Sequence, residues 1–388
     1  MLARLQLGDV HYFLGQMEAA EGAVKGVPKQ AVILNRAMER VKAHQLLAAA
    51  QAQLGRFPDA EASLREATEQ ARSLGVRYLI AGCAFVRAVI DLTNGILHPE
   101  SVDELEAARV RYEKEGDGLS TADCLAELAI YHHRLGSEDS LVIDKNLSKA
   151  ATLYNEIAGA KLGQVNVQVY VAEIRIDRGE LICAKDHAGS EPIDRMSSAY
   201  EAMKEARRIA SVPGLPEGIK KDVAVWASLL NLFLGERYQI ATGEFESACV
   251  APKQDTILHP GFVLRERNRA FRELLKNPTP SNLDSLKRLA EQARSFQFGY
   301  NEAITRTLAA LGCIRLNRND QCDSEIDRIE QLVNNGRLGW SIWGQVHNVQ
   351  ELGQPLGRDW AKAAATLLNL AVKRGILRKP ACWSKEKT

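Results

Sequence analysis

Apolar residues recur along this chain at the three- and four-residue spacing of one helix face, in long runs separated by short polar breaks. The clearest stretch is 41–95. VKAHQLLAAAQAQLG (Val41 to Gly55) predicts one amphipathic helix, RFP a tight corner, and DAEASLREATEQARSLG a helix running back. A further first helix, VRYLIAGCAFVRAVIDLTNG, begins at Val76. The pattern predicts helical hairpins and no strands.

A small residue followed seven positions later by glycine marks each first helix. The pairs are Gly8/Gly15, Ala48/Gly55, Ala88/Gly95, Ala129/Gly136, Ala172/Gly179 and Ser228/Gly235, with Gly312/Asn319 as a variant. The terminators are 40, 40, 41, 43, 56 and 84 residues apart, a self-similarity that signals stacked repeats. The small side chain lets two helices approach closely. The glycine ends the helix in the left-handed conformation, which asparagine also tolerates. Beyond it, Met17 and Phe57 plug the corner. Ala20 and Ala60 then give the second helix its own close-contact point, and Val24/Leu64 and Val27/Ala67 continue that stripe. EQARS recurs at Glu69–Ser73 and Glu291–Ser295.

Leu7-Gly8, Leu47-Ala48, Leu128-Ala129 and the stretch Gly55-Arg-Phe57-Pro-Asp-Ala60 resemble the tetratricopeptide repeat. The longer period resembles the long-helix arrays of bacterial signal-transducing regulators. The resemblance is good over 1–180 and looser beyond. Arg87 departs from it at a usually apolar position, and inserts lengthen the units at 137–147, 184–192 and 236–260. It implies an all-α fold: a right-handed α-solenoid of about 8–9 stacked antiparallel hairpins, each touching its neighbours. The expected divisions are a regular array over 1–211, irregular repeats continuing it over 212–338, a C-terminal helical cap over 339–379 holding Trp340, Trp343 and Trp360, and a disordered tail over 380–388. Val212-Pro-Gly-Leu-Pro216 is the expected hinge, and 250–260 and 277–281 are expected loops. Ser101, with Glu104 three residues on, predicts the cap of a helix over 102–115.

Composition narrows the class. A net charge of +1 supplies no general attraction to nucleic acid or an anionic membrane. The longest apolar run, Ala224–Leu234, is too short to span a bilayer, so no membrane partner is expected. Seven cysteines without paired motifs suit a reducing cytoplasm. The N-terminus has no signal-peptide pattern and opens directly on a hairpin, which suggests a piece of a longer chain or a member of a multi-protein complex.

Phosphate-cradling, dinucleotide, nucleophile-elbow and zincin motifs are missing, so the chain reads as non-catalytic and without cofactor. Cys183 and His187 have the spacing of a helical metal pair but no further ligands nearby, so no metal is expected. Cys124 and His132 meet as thiol and base only by tertiary accident. His132 is expected at the packing interface, with His133 and Arg134 on the inner face. The glutamates and arginines of 104–115 read as a solvated face. Arg265, Arg267, Arg269, Arg272 and Lys276, with Lys373, Arg374, Arg378 and Lys379, form basic helices that make nucleic-acid binding an alternative.

The leading expectation is an interaction scaffold whose concave groove takes a peptide or partner domain. Inner-face positions implied by the resemblance are Lys42, Gln45, Gln53, His133, Arg134, Asn166, Glu173 and Asp177. Arg87 and Asp91, four apart, pair on one helix face and extend that groove. A ligand-sensing segment of a larger signalling or transcription regulator is the alternative of a different class.

Overall fold

The computed structural model describes residues 1–14, 16–137, 139–178, 193–212, 215, 217–234, 260–336, 338–351, 356–380 and 383. Among them there are helices and no strands. The first half contains α1 (Leu2–Phe13), α2 (Met17–Val24), α3 (Val27–Ile33), α4 (Ala37–Gln53), α5 (Phe57–Leu74), α6 (Arg77–Asn94), α7 (Pro99–Glu115), α8 (Gly118–Arg134), α9 (Ser140–Glu156) and α10 (Lys161–Asp177). Then come α11 (Ile193–Ala210), α12 (Glu217–Leu234), α13 (Pro260–Lys276), α14 (Pro280–Ser295), α15 (Gly299–Arg315) and α16 (Asn319–Gly336). A 3-10 turn (Trp340–Trp343), α17 (Gly344–Glu351) and α18 (Arg358–Lys373) follow.

The first helices α1, α4, α6, α8, α10 and α12 pack side by side into an inner row, and the returning helices cover its outside. The small residues make this row possible. Ala48, Ala88, Ala129 and Ala172 are completely buried. At Gly8 a β-carbon would come within 2.9 Å of Leu46 Cδ2, and at Gly312 within 2.7 Å of Leu274 Cδ2. The repeat glycines do end helices: Gly55, Gly95 and Gly136 have φ of 71°, 75° and 74°. Gly15, Gly179 and Gly235 lie outside the described residues. In the asparagine variant the left-handed residue is Asn317, with φ 57°, and Asn319 opens the next helix instead. Of the stripe on the second helices, Ala20, Ala60, Val24, Leu64, Val27 and Ala67 are buried, although α2 stops at Val24 and Val27 starts α3.

Helix α7 begins at Pro99, three residues ahead of the expected start. Proline needs no amide hydrogen in a first turn, and Ser101 is buried inside that turn with its hydroxyl donated to Asp91 Oδ2 at 2.7 Å. Much of 212–216 and all of 250–259 lie outside the described residues.

The last third turns back on the inner row. Helix α15 packs on α6, while the 3-10 turn and α17 reach α8 and α10. The seam is made at the glycine ends of the repeats. Gly95 meets Gly299 and Tyr300, and Gly136 meets Gly339 and Trp340. The Gly339 amide donates to Arg134 O at 2.9 Å, the Leu97 amide to Gly336 O at 3.2 Å, and the Trp340 indole to Gly136 O at 2.9 Å. A single apolar cluster therefore runs from Ala81 to Trp383. Of the expected disordered tail over 380–388, Pro380 and Trp383 are among the described residues, and Trp383 departs from that expectation. It is buried, stacks on His347 with ring centroids 4.2 Å apart, and donates its indole to Arg178 O at 2.9 Å.

Candidate functional site

The inner-face positions fall into three environments. Lys42 is exposed on α4, and Asn166 is half-buried on α10. Gln45 and Gln53 stitch neighbouring inner helices together. The Gln45 amide donates to Leu79 O at 2.8 Å and Cys83 Sγ at 3.3 Å, and that of Gln53 to Thr93 Oγ1 at 3.3 Å. Arg87 and Asp91 stand 4.0 Å apart, as their spacing predicts. Arg87 turns outward, however, to Glu61 on α5 at 2.8 Å. Asp91 is buried where α6, α7 and α8 meet, accepting from Ser101 and, at 3.0 Å, from Tyr131.

His133, Arg134, Glu173 and Asp177 are brought together where the last third of the chain folds over the ends of α8 and α10. His133 Nε2 lies 3.1 Å from the Tyr300 hydroxyl, which donates to Asp177 Oδ2 at 3.5 Å. Gln345 donates to Asp177 Oδ1 at 2.7 Å. The Arg134 guanidinium sits 4.3 Å from the Tyr300 ring centroid. His133 and Asp177 have no exposed surface and Glu173 is buried. These three are therefore interior residues, and the placement of His133 on an open inner face is corrected. His132 is the more exposed of the two histidines.

Burial holds His133 well below the usual histidine range, with the Arg178 and Arg134 charges adding to it. Burial raises Asp177 against the lowering influence of Arg267, Gln345 and Arg134. A neutral folded histidine means that the unfolded chain binds the proton more strongly. Stability is complete above the ordinary histidine value of 6.5 and declines as pH falls below it. His133→Gln should make that acid limb shallower, as thermal melts between about pH 7 and pH 5 would register; an unchanged limb would contradict the buried neutral ring.

A second group of titratable side chains stays within reach of solvent, at positions the spacing did not single out. Asp123 and Glu127 lie four apart on α8, and Tyr12 from α1 and Tyr170 from α10 face the same space; all are half-buried. Burial pushes the Asp123 carboxyl up to about 6 although the Tyr154 hydroxyl donates to it. Burial takes Glu127 to about 7, partly opposed by Arg134 and reinforced by Asp123. Tyr12 is raised by burial, then by Glu127 and Asp123. Tyr170 is raised by Glu127 first, then by burial and Glu173. One carboxylate thus acts on tyrosines from α1 and α10, helices separated in the row by three others, because the inner face curls around it. The spacing of Asp123 and Glu127 was the available sequence signal; only the curl distinguishes it from a solvated pair.

Other candidates separate. Cys124 is buried, and desolvation holds its thiol far above the ordinary value, which leaves no thiolate for His132 to generate. Cys183 and His187 lie outside the described residues. Among the described residues no three His, Cys, Asp or Glu side chains are grouped to hold a metal ion, and no helix is long and apolar enough to cross a membrane. The basic stretch on α13 does not form one face: Arg267 is fully buried, while Arg269 and Arg272 pair with Glu266 and Glu273. Arg374 pairs with Asp327 and Glu330.

No protein-family model matches this chain, and a search of curated proteins found no match.

Proposed function

We propose that the protein is a non-catalytic binding module of the tetratricopeptide type, with the right-handed sense of that family. In this reading its curled inner face takes a segment of a partner protein carrying lysine or arginine. The observation that carries the proposal is the grouping of the half-buried Asp123 and Glu127 with Tyr12 and Tyr170, with Arg134 as the nearby cation. Carboxylates held uncomfortably out of water gain most from an arriving cation, and tyrosine rings supply flat surfaces for its aliphatic stem. Strongly shifted groups in a concavity are a general mark of a binding site. The free thiols of Cys83, Cys124, Cys313 and Cys322 support action in the cytoplasm.

The sign of the pH dependence follows from the raised carboxyls. A cation is held by the ionised forms, so capture should strengthen as pH rises through about 6 and about 7. The same carboxyls destabilise the fold over that range, because the folded state holds its protons more tightly than the unfolded chain. Glu127→Gln should therefore weaken binding of a fluorescent lysine-rich peptide about tenfold at about pH 8 while raising stability there by about 1–2 kcal/mol. Anisotropy and urea melts at about pH 5 and pH 8 test both. Peptide binding that ignores pH and the substitution would remove the inner face as the site.

A further inference from the structure

On the opposite side of the row, α5 and α7 both pack on α6 and leave a trough between them of about 610 Å³. Its floor and walls are small or apolar in the middle, where Ala81, Ala84, Ala107 and the exposed Val110 lie. Its charge is one-sided. Arg72, Arg77, Arg111 and Lys114 gather where α5 ends and α6 begins, and Arg87 stands at the far end. A shallower depression continues the trough past Arg77 and Arg111 to Glu115. Five cations thus face two carboxylates, Glu104 and Glu115. Arg87 and Arg111 are paired with Glu61 and Glu115, whereas Arg72, Arg77 and Lys114 are exposed and have no ion pair among the described residues.

We propose that this trough docks an acidic amphipathic helix from a partner protein, with its apolar stripe on Ala84 and Ala107 and its carboxylates on Arg72, Arg77 and Lys114. Charge complementarity fixes the sign of the occupant. The walls decide its form. All three bounding segments are helices whose backbone groups are already bonded to one another, so they offer an extended peptide no ladder. A strand laid over the alanines would leave its own amides and carbonyls without partners. A helix satisfies its backbone internally and presents side chains to the groove. From Arg77 to Arg87 the floor helix advances about 15 Å, which matches about three turns of such a partner. The small floor residues leave room for its larger apolar side chains. This surface is independent of the acidic inner face and of opposite sign.

The test uses a fluorescein-labelled peptide about four turns long, with leucines at every third and fourth position and glutamates on both flanks, and a scrambled peptide of equal charge. The full chain should bind the patterned peptide, increasingly as salt is lowered, and the scrambled one at least about tenfold more weakly. Arg72→Glu combined with Arg77→Glu should cost about tenfold in affinity or more, and so should Ala107→Trp, which fills the trough without altering charge. All three positions are exposed, so the helical melt should be unchanged. Glu127→Gln should leave this binding intact, which keeps the result separate from the inner face. Equal binding of the scrambled peptide, or full binding by Ala107→Trp, would reduce the effect to diffuse charge attraction and overturn the proposal. Occupancy of the trough by sodium dodecanoate but not by the peptide would overturn it in favour of a small amphiphilic anion.

Discussion

Gly95→Ala should destabilise the protein by about 3 kcal/mol, whereas Gly116→Ala should cost only about 1 kcal/mol. The two glycines have almost the same backbone conformation, with φ of 75° and 74°, so a β-carbon brings the same left-handed strain at both. What differs is the space. At Gly116 nothing lies within 4 Å of the added carbon. At Gly95 it would come within 2.9 Å of the Gly299 carbonyl carbon and 3.1 Å of its α-carbon, both main-chain atoms that no rotamer change can move aside. The difference between the two variants therefore measures how firmly α15 is docked against the end of α6. Urea midpoints for both proteins would give it directly. Equal losses would mean that the seam between the first half and the last third is loose.

The second large effect is expected at Arg306. Its side chain is almost wholly buried and donates to Glu302 at 2.8 Å, Glu325 at 2.8 Å and Glu291 at 2.6 Å. Arg328 adds a bond of 2.9 Å to Glu302. Burial works against the Arg306 charge, but the bonds to the three glutamates outweigh it and hold the guanidinium above its usual range. The same contact is the main reason that the Glu291 carboxyl lies below its usual range. Arg306→Leu keeps most of the volume but leaves Glu325 buried with its counter-charge gone and Glu302 with Arg328 alone. Removing one partner from such a network typically costs about 3–5 kcal/mol. The loss should shrink as pH is lowered, because the abandoned carboxylates can then take up protons. Denaturant melts of the variant at about pH 7 and pH 4.5 should show a smaller gap from the parent at the lower pH. A pH-independent gap would assign the effect to packing instead of charge.

Much of the helical row was legible in the chain. Ala48, Ala88, Ala129 and Ala172 recur at near-constant spacing because every hairpin solves the same packing problem with the same small side chain, and all four are buried. Gly55, Gly95 and Gly136 end their helices because few other residues adopt the left-handed turn, and that requirement is local. The site was less legible. His133 and Asp177 occupy the inner-face register, yet whether that register faces a partner or the chain itself depends on Tyr300 and Gln345, more than a hundred residues away. Arg306 looks like any helical arginine in the sequence. Its burial follows from what α14 and α16 bring beside it.

By itself, then, the sequence determined the all-α class, the stacking of hairpins and where α4, α6 and α8 stop, since each depends on contacts within one or two neighbouring units. Tertiary structure alone decided that the described residues of 296–348 return to cover the ends of α6, α8 and α10, that Trp383 joins the core, and that Glu127 faces both Tyr12 and Tyr170. A periodic pattern records which side of each helix is apolar; small rotations between successive helices add up along the row, and only their sum says which distant surfaces meet.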